Sequence, residues 1–185
     1  MNENGFNKLY WGFLFTMLSF RIQGFDILPD VVGYLFFAAG FSNLISSSNY
    51  FSIAAKYNIP MIILSLFSFY QGPVQAGIHL GPLGILSIPL AITCFVLNLL
   101  IVYNLFMGIK DMAEKQEQSD LVTASDEKWT QYKLLQIAAI FSFVFIFIPL
   151  LGVVYIIGIL VVSIIITIGI LGFMKRCSES LYTLK

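Results

Sequence analysis

The chain has 185 residues, 58% of them hydrophobic and 11% charged, far to the apolar side of a water-soluble domain. Ten Lys and Arg balance ten Asp and Glu, which leaves no basic face of the kind a nucleic-acid partner requires. Two cysteines, Cys94 and Cys177, form neither a metal-type spacing nor a disulfide framework, and both read as small hydrophobes.

A helix needs about 20 mostly apolar residues to cross a hydrocarbon core of about 30 Å, and only helices or closed barrels satisfy the backbone there. The apolar segments here are long and do not alternate, so they are helices. The expected architecture is all-α: one polytopic transmembrane bundle over 1–185, with spans at about 9–27, 30–47, 56–72, 84–108, 132–149 and 152–174. The opening segment, MNENGFNKLYWGFLFTMLSF, lacks a small-residue cleavage site and reads as the start of the first span rather than a removable signal.

The stretch SFRIQGFDILPDVVGY, 19–34, joins the first two spans. If the first helix enters near Leu9, Arg21 lies about 18 Å further on, short of the far side of the core. Arg21, Gln23, Asp26 and Asp30 therefore fall in or just beneath the outer interface. Charges at that depth are costly and face protein or water, which makes these four the candidate binding residues. They also have a structural use: Pro29 suits the first position of the second helix, Asp30 suits its first turn, and Arg21 can pair with Asp26 or snorkel outward.

Within this stretch, GFDILPDVVGYLFF resembles the signature of a family of small multi-pass membrane proteins of Bacillus, Clostridium and related Gram-positive bacteria. In that family FDILPD, two apolar residues and GY follow a first apolar helix. The likeness rests on this one motif, and elsewhere extends to span number and length. It implies a bacterial plasma-membrane location. The family has no established activity, so the resemblance supplies no catalytic residues.

Gly12, Thr16, Ser19 and Gln23 recur at helical spacing on the first span, and Gly33, Gly40, Asn43 and Ser47 on the second. Such stripes let membrane helices approach closely and predict a contact between the two. The connection GPVQAGIHLGPLG before the fourth span holds His79, the sole histidine, in an irregular outer loop or re-entrant segment. A lone His is a poor metal site, because such sites need three or four ligands. On the fourth span, Asn98 and Asn104 read as hydrogen-bond partners for neighbouring helices.

The polar segment 110–131 is read as a cytoplasmic linker. The fourth helix continues into it, breaks near SDLVTAS, and a fifth helix starts with Ser125 as its cap and Asp126 and Glu127 in its first turn. Trp129 and Tyr132 then fall in an interfacial aromatic belt, as do Tyr10 and Trp11. The uncharged stretch 134–174 would run about 60 Å as one helix, twice the core thickness, so it folds back at Pro149 and Gly152. Lys8, Lys56, Lys110, Lys115, Lys128, Lys133, Lys175, Arg176 and Lys185 all fall on one side of this arrangement, which predicts both termini in the cytoplasm. Arg21 is the exception.

No HExxH helix, no Ser paired with a base and no paired aspartyl motif is present, so no enzymatic activity, metal or cofactor is expected. The composition implies the lipid bilayer itself as a partner, together with another membrane protein or a second copy of the chain. Two functional classes remain. One is a non-catalytic accessory, sensor or partner-binding membrane protein, in keeping with the lack of ionisable residues near the midplane of spans three to six. The other is a small-molecule transporter or substrate-binding membrane component with its site near the first hairpin. In size and span number the chain is also similar to the substrate-binding subunits of bacterial vitamin uptake systems, although their small-residue coupling motif is not evident on the first helix.

Overall fold

The computed structural model describes residues 2–17, 21–22, 25–26, 30–68, 87–145 and 148–181. Among these the chain is all-α, with six helices in the order of the six expected spans: α1 (Asn2–Met17), α2 (Asp30–Leu44), α3 (Asn49–Ser68), α4 (Ser87–Lys115), α5 (Ser119–Phe145) and α6 (Pro149–Ser180). Between α1 and α2, β1 (Arg21–Ile22) and β2 (Phe25–Asp26) form a two-residue antiparallel ladder that pairs Arg21 with Asp26 and Ile22 with Phe25. The first helix therefore does not run on through 27. The register, with Ile22 opposite Phe25, is that of a hairpin with a two-residue connection and not of a continuing helix.

Each helix packs against its sequence neighbour, and α6 returns to α1, so the six close into a ring. Three polar ties gather one end of it. Ser178 Oγ donates to the Glu3 carbonyl at 3.4 Å, the Gln118 side chain donates to the Ser180 carbonyl at 2.9 Å, and Lys115 Nζ donates to the Ser47 carbonyl at 3.2 Å. The start of α1, the α2–α3 turn, the α4–α5 turn and the end of α6 thus share that end. Lys8, Lys56, Lys110, Lys115, Lys128, Lys175 and Arg176 lie in the half of their helix nearer to it, whereas Lys133, expected on the same side, falls just past the middle of α5, and Lys185 lies outside the described residues. Asp30, at the opposite end of α2, belongs to the other end of the ring.

The interior is aromatic. Phe106 of α4 reaches across to Phe13 of α1 and to Phe173 of α6, with ring centroids 6.2 Å away in both cases. Phe13 meets Phe37 edge-on at 5.1 Å, and the row continues through Phe41 to Phe51. Edge and offset contacts of this kind add about 0.5–1.5 kcal/mol each to plain burial. Gly108 makes room for Phe51, whose ring carbons would lie 2.8 Å from a Cβ at that position.

The expected contact between the first two helices is present and unusually close. Gly12 faces Gly33 and Gly5 faces Gly40, each pair two turns from the other. A Cβ on Gly40 would lie 2.7 Å from Leu9 Cδ2 and 3.1 Å from the Gly5 carbonyl oxygen, so only glycine permits this approach. Gly5 had no place in the sequence stripe. Ser19 and Gln23, which did, lie outside the described residues.

The segment between α4 and α5 differs from expectation. The break falls at 116–118 rather than at Ser125, because Glu117 adopts a left-handed φ of 55°. The Gln118 N–H then donates to the Ala113 carbonyl at 2.9 Å and the Glu117 N–H to the Glu114 carbonyl at 3.1 Å, the Schellman pattern that terminates a helix. Ser125 is not a cap; it is buried within α5 and its hydroxyl donates to the Leu121 carbonyl at 2.7 Å. Lys110 reaches across from α4 to Asp126 at 2.7 Å, a half-exposed pair that solvent screens. Tyr132 is not in an exposed belt either. It is buried against α4, whereas Trp129 beside it packs on Tyr103 at 5.2 Å.

The fold-back at Pro149 is present. Pro149 opens α6 after an extended Ile148, and the Gly152 N–H donates to the Ile148 carbonyl at 2.7 Å. The two arms stay together through Tyr155, which donates to the Ala138 carbonyl at 2.9 Å and meets Phe145 at 4.3 Å.

Two helices, α4 over Pro89–Lys115 and α6 over Leu150–Ser180, are each long and apolar enough to cross a bilayer. The described lengths of α1 and α2, 16 and 15 residues, correspond to about 24 and 22 Å, short of a core of about 30 Å. On α6, Leu150 is 81% exposed, Val154 64% and Ile165 63%. Burying such a side chain is worth about 1.5–3 kcal/mol, so a helix with this surface favours lipid over water.

A candidate ligand cavity between α2, α3 and α4

At the end of the ring away from the clustered lysines, three helices converge on a cavity of about 200 Å³. Each contributes a pair of residues one helical turn apart, the spacing that puts two side chains on one face. From α2 come Asp30 and Tyr34, and from α3 Met61 and Ser65. From α4 come Cys94 and Asn98, with Phe95 beside them.

Several of these polar groups are already held by the protein. Ser65 Oγ donates to the Ile62 carbonyl at 2.8 Å, and Asn98 Nδ2 donates to the Tyr132 hydroxyl at 2.9 Å, tying the cavity wall to α5. Behind Tyr34, the buried Asn58 donates to the Tyr34 carbonyl at 2.7 Å and so fixes α3 against α2. The Asn58 Oδ1 is itself buried without a hydrogen-bond partner. Cys94 is a free, half-buried thiol, and Cys177 is buried elsewhere, near the far end of α6.

Of the four candidate binding residues, Asp30 lines the cavity. Arg21 and Asp26 are described in backbone only, facing each other across the ladder a few residues upstream, and Gln23 lies outside the described residues. His79 and Pro29 also lie outside them. The motif that carries the family resemblance has a structural meaning here. Asp30 and Tyr34 line the cavity, and Gly33 between them is the contact with Gly12.

Sequence reasoning missed Met61, Ser65, Cys94 and Phe95. Each sits in an apolar run, and the only available signal was a small polar side chain, Ser65 or Cys94, one turn from another wall residue. Asn98 was expected to bond a neighbouring helix and does so; Asn104 instead donates back to the Leu100 carbonyl of its own helix at 2.7 Å. Among the described residues no three His, Cys, Asp or Glu side chains gather as a metal site. Compared with known proteins, the chain matches no family model, no curated protein and no solved structure.

Proposed function

We propose that the chain is a six-span, non-catalytic protein of a bacterial plasma membrane, with both termini in the cytoplasm, and that it binds a small molecule in the cavity between α2, α3 and α4. The observation that carries this reading is the convergence of seven of the described residues, Asp30, Ser65 and Asn98 among them, from three helices on one recess. The six spans are supported by the match between six helices and six apolar segments. The orientation is supported by the gathering of seven of the basic residues at the end that holds the start of α1 and the end of α6.

The cavity favours a substrate-binding or sensing role over a purely structural one. It also favours binding over open conduction, because the layer of Phe13, Phe37 and Phe106 fills the ring on the lysine side of it. Cys94 provides the test. In a Cys177→Ala variant, N-ethylmaleimide should modify Cys94 while a bulky fluorescein maleimide should not. Filling the recess with Ser65→Trp should slow the small reagent by about tenfold or more, an effect of over 1.4 kcal/mol on access. Equal reaction with both reagents, or no effect of filling, would mean that no enclosed site exists.

A further inference from the structure

We infer that the lysine-rich end of the α5–α6 pair binds the phosphate of an anionic phospholipid headgroup, an inference that is separate from the cavity and rests on the reading of α6 as a membrane span. The site starts from Lys128 of α5. Its Nζ lies against Gly169 of α6, 3.2 Å from where a Cβ would be. Gly169 precedes Lys175 by six residues, so this ammonium stands about 9 Å further into the apolar part of α6 than the first charge of that helix. A charge at that depth is costly unless something pairs with it. Lys128 Nζ donates to the Gln131 side chain at 3.0 Å, which leaves two of its three hydrogens. The neighbouring Glu127 accepts from the Gln131 amide at 2.8 Å, and among the described residues no carboxylate lies within ion-pair distance of Lys128.

The second cation is Arg176. It follows Gly169 by seven residues and Gly172 by four, two turns and one, so the three share a face of α6. Helical side chains lean toward the N-terminus of their own helix. The fold-back makes α5 and α6 antiparallel, so Lys128 leans toward the lysine-rich end, Arg176 leans away from it, and the two converge over Gly172. Gly172 is exposed, and a Cβ built on it would meet nothing within 4 Å. Among the described residues Arg176 forms no ion pair, and Glu179 lies almost a turn beyond it, toward the end of the helix. An anion over Gly172 therefore meets an ammonium with hydrogens to spare on one side and a guanidinium fork, suited to two phosphate oxygens, on the other.

The anion belongs to a lipid because of what continues above it. On the same side of α6 the surface runs on through Ile165, Val161 and Val154, all exposed, with the open Gly158 among them. A phospholipid lays an acyl chain along that track while its phosphate rests on the glycines. A free phosphate uses the two cations alone. Basic pockets between helices on the cytoplasmic side are where anionic headgroups are held, each basic residue adding a factor of about five in affinity.

The experiment titrates the full chain, purified in detergent, with phosphatidylglycerol and with phosphatidylcholine of the same acyl chains, and counts retained lipids by native mass spectrometry. One phosphatidylglycerol should be retained about tenfold or more tightly than phosphatidylcholine. Lys128→Gln and Arg176→Gln should each weaken its retention by about fivefold, and Lys56→Gln, which removes the same charge from α3, should not. Gly172→Leu fills the floor without changing any charge and should abolish the preference as well. Inorganic phosphate should not compete at concentrations that match the lipid. Equal retention of the two lipids, or an effect of Lys56→Gln as large as that of Lys128→Gln, would overturn the site while leaving the span assignment standing. Full competition by inorganic phosphate would overturn the assignment to a lipid.

Discussion

Gly12 and Gly33 meet backbone to backbone across the α1–α2 hairpin: a Cβ on Gly12 would lie 3.1 Å from the Gly33 carbonyl oxygen, and one on Gly33 would lie 3.0 Å from that of Gly12. The Gly33 position would also bring a Cβ to 2.5 Å from Thr16 Cγ2. Backbone cannot yield as a flexible side chain can. Gly33→Ala should therefore lower stability by about 1–3 kcal/mol through overpacking. Gly172→Ala, with nothing within 4 Å, should be neutral or gain up to about 1 kcal/mol from helix propensity. Thermal unfolding in detergent compares the two, and equal effects would remove the close hairpin contact from the account.

Glu117 ends α4 in a left-handed conformation that costs a residue with a Cβ about 1–2 kcal/mol. Glu117→Gly should raise stability by about 1 kcal/mol, and Glu117→Val should lower it. A melting temperature unchanged by glycine would mean that the α4–α5 turn is not closed by this residue.

Arg21 and Asp26 stand opposite each other in the ladder that leads into α2. A partly desolvated ion pair there would hold the hairpin shut. Removing one partner leaves a bare charge and should cost about 3–5 kcal/mol, whereas replacing both with apolar residues should be close to neutral. Thermal stability of Arg21→Met, Asp26→Leu and the double variant, in detergent and in lipid, measures the coupling. Strictly additive losses would show that no such pair forms.

What the sequence revealed and what it hid follow from the range of each interaction. The number of helices, the fold-back at Pro149 and the glycine contact rest on local apolar length, on proline and on glycine spacing, all of which can be read along the chain. Helix ends were less legible, because hydropathy reports where a helix is apolar and not where it stops. Thus α3 starts at Asn49, capped by Ser48 Oγ 3.4 Å from the Tyr50 N–H, well before the apolar run. Ser125 misled for a related reason: Ser followed by two acids imitates a cap, yet the chain had already entered α5 six residues earlier. The cavity was half legible. Asp30 declared itself as a charge among apolar residues, but Ser65 and Cys94 gain meaning only once α3 and α4 are set beside α2, and that is a property of packing.

The central claim is that six spans place the lysine-rich end of the bundle in the cytoplasm and the cavity end outside. Single cysteines at positions 78 and 120, introduced into a variant with Cys94 and Cys177 replaced by Ala, test it in intact cells with a membrane-impermeant thiol reagent. The account predicts that position 78 is labelled from outside and that position 120 is labelled only after the membrane is opened. Labelling of position 120 from outside, with position 78 protected, would contradict it.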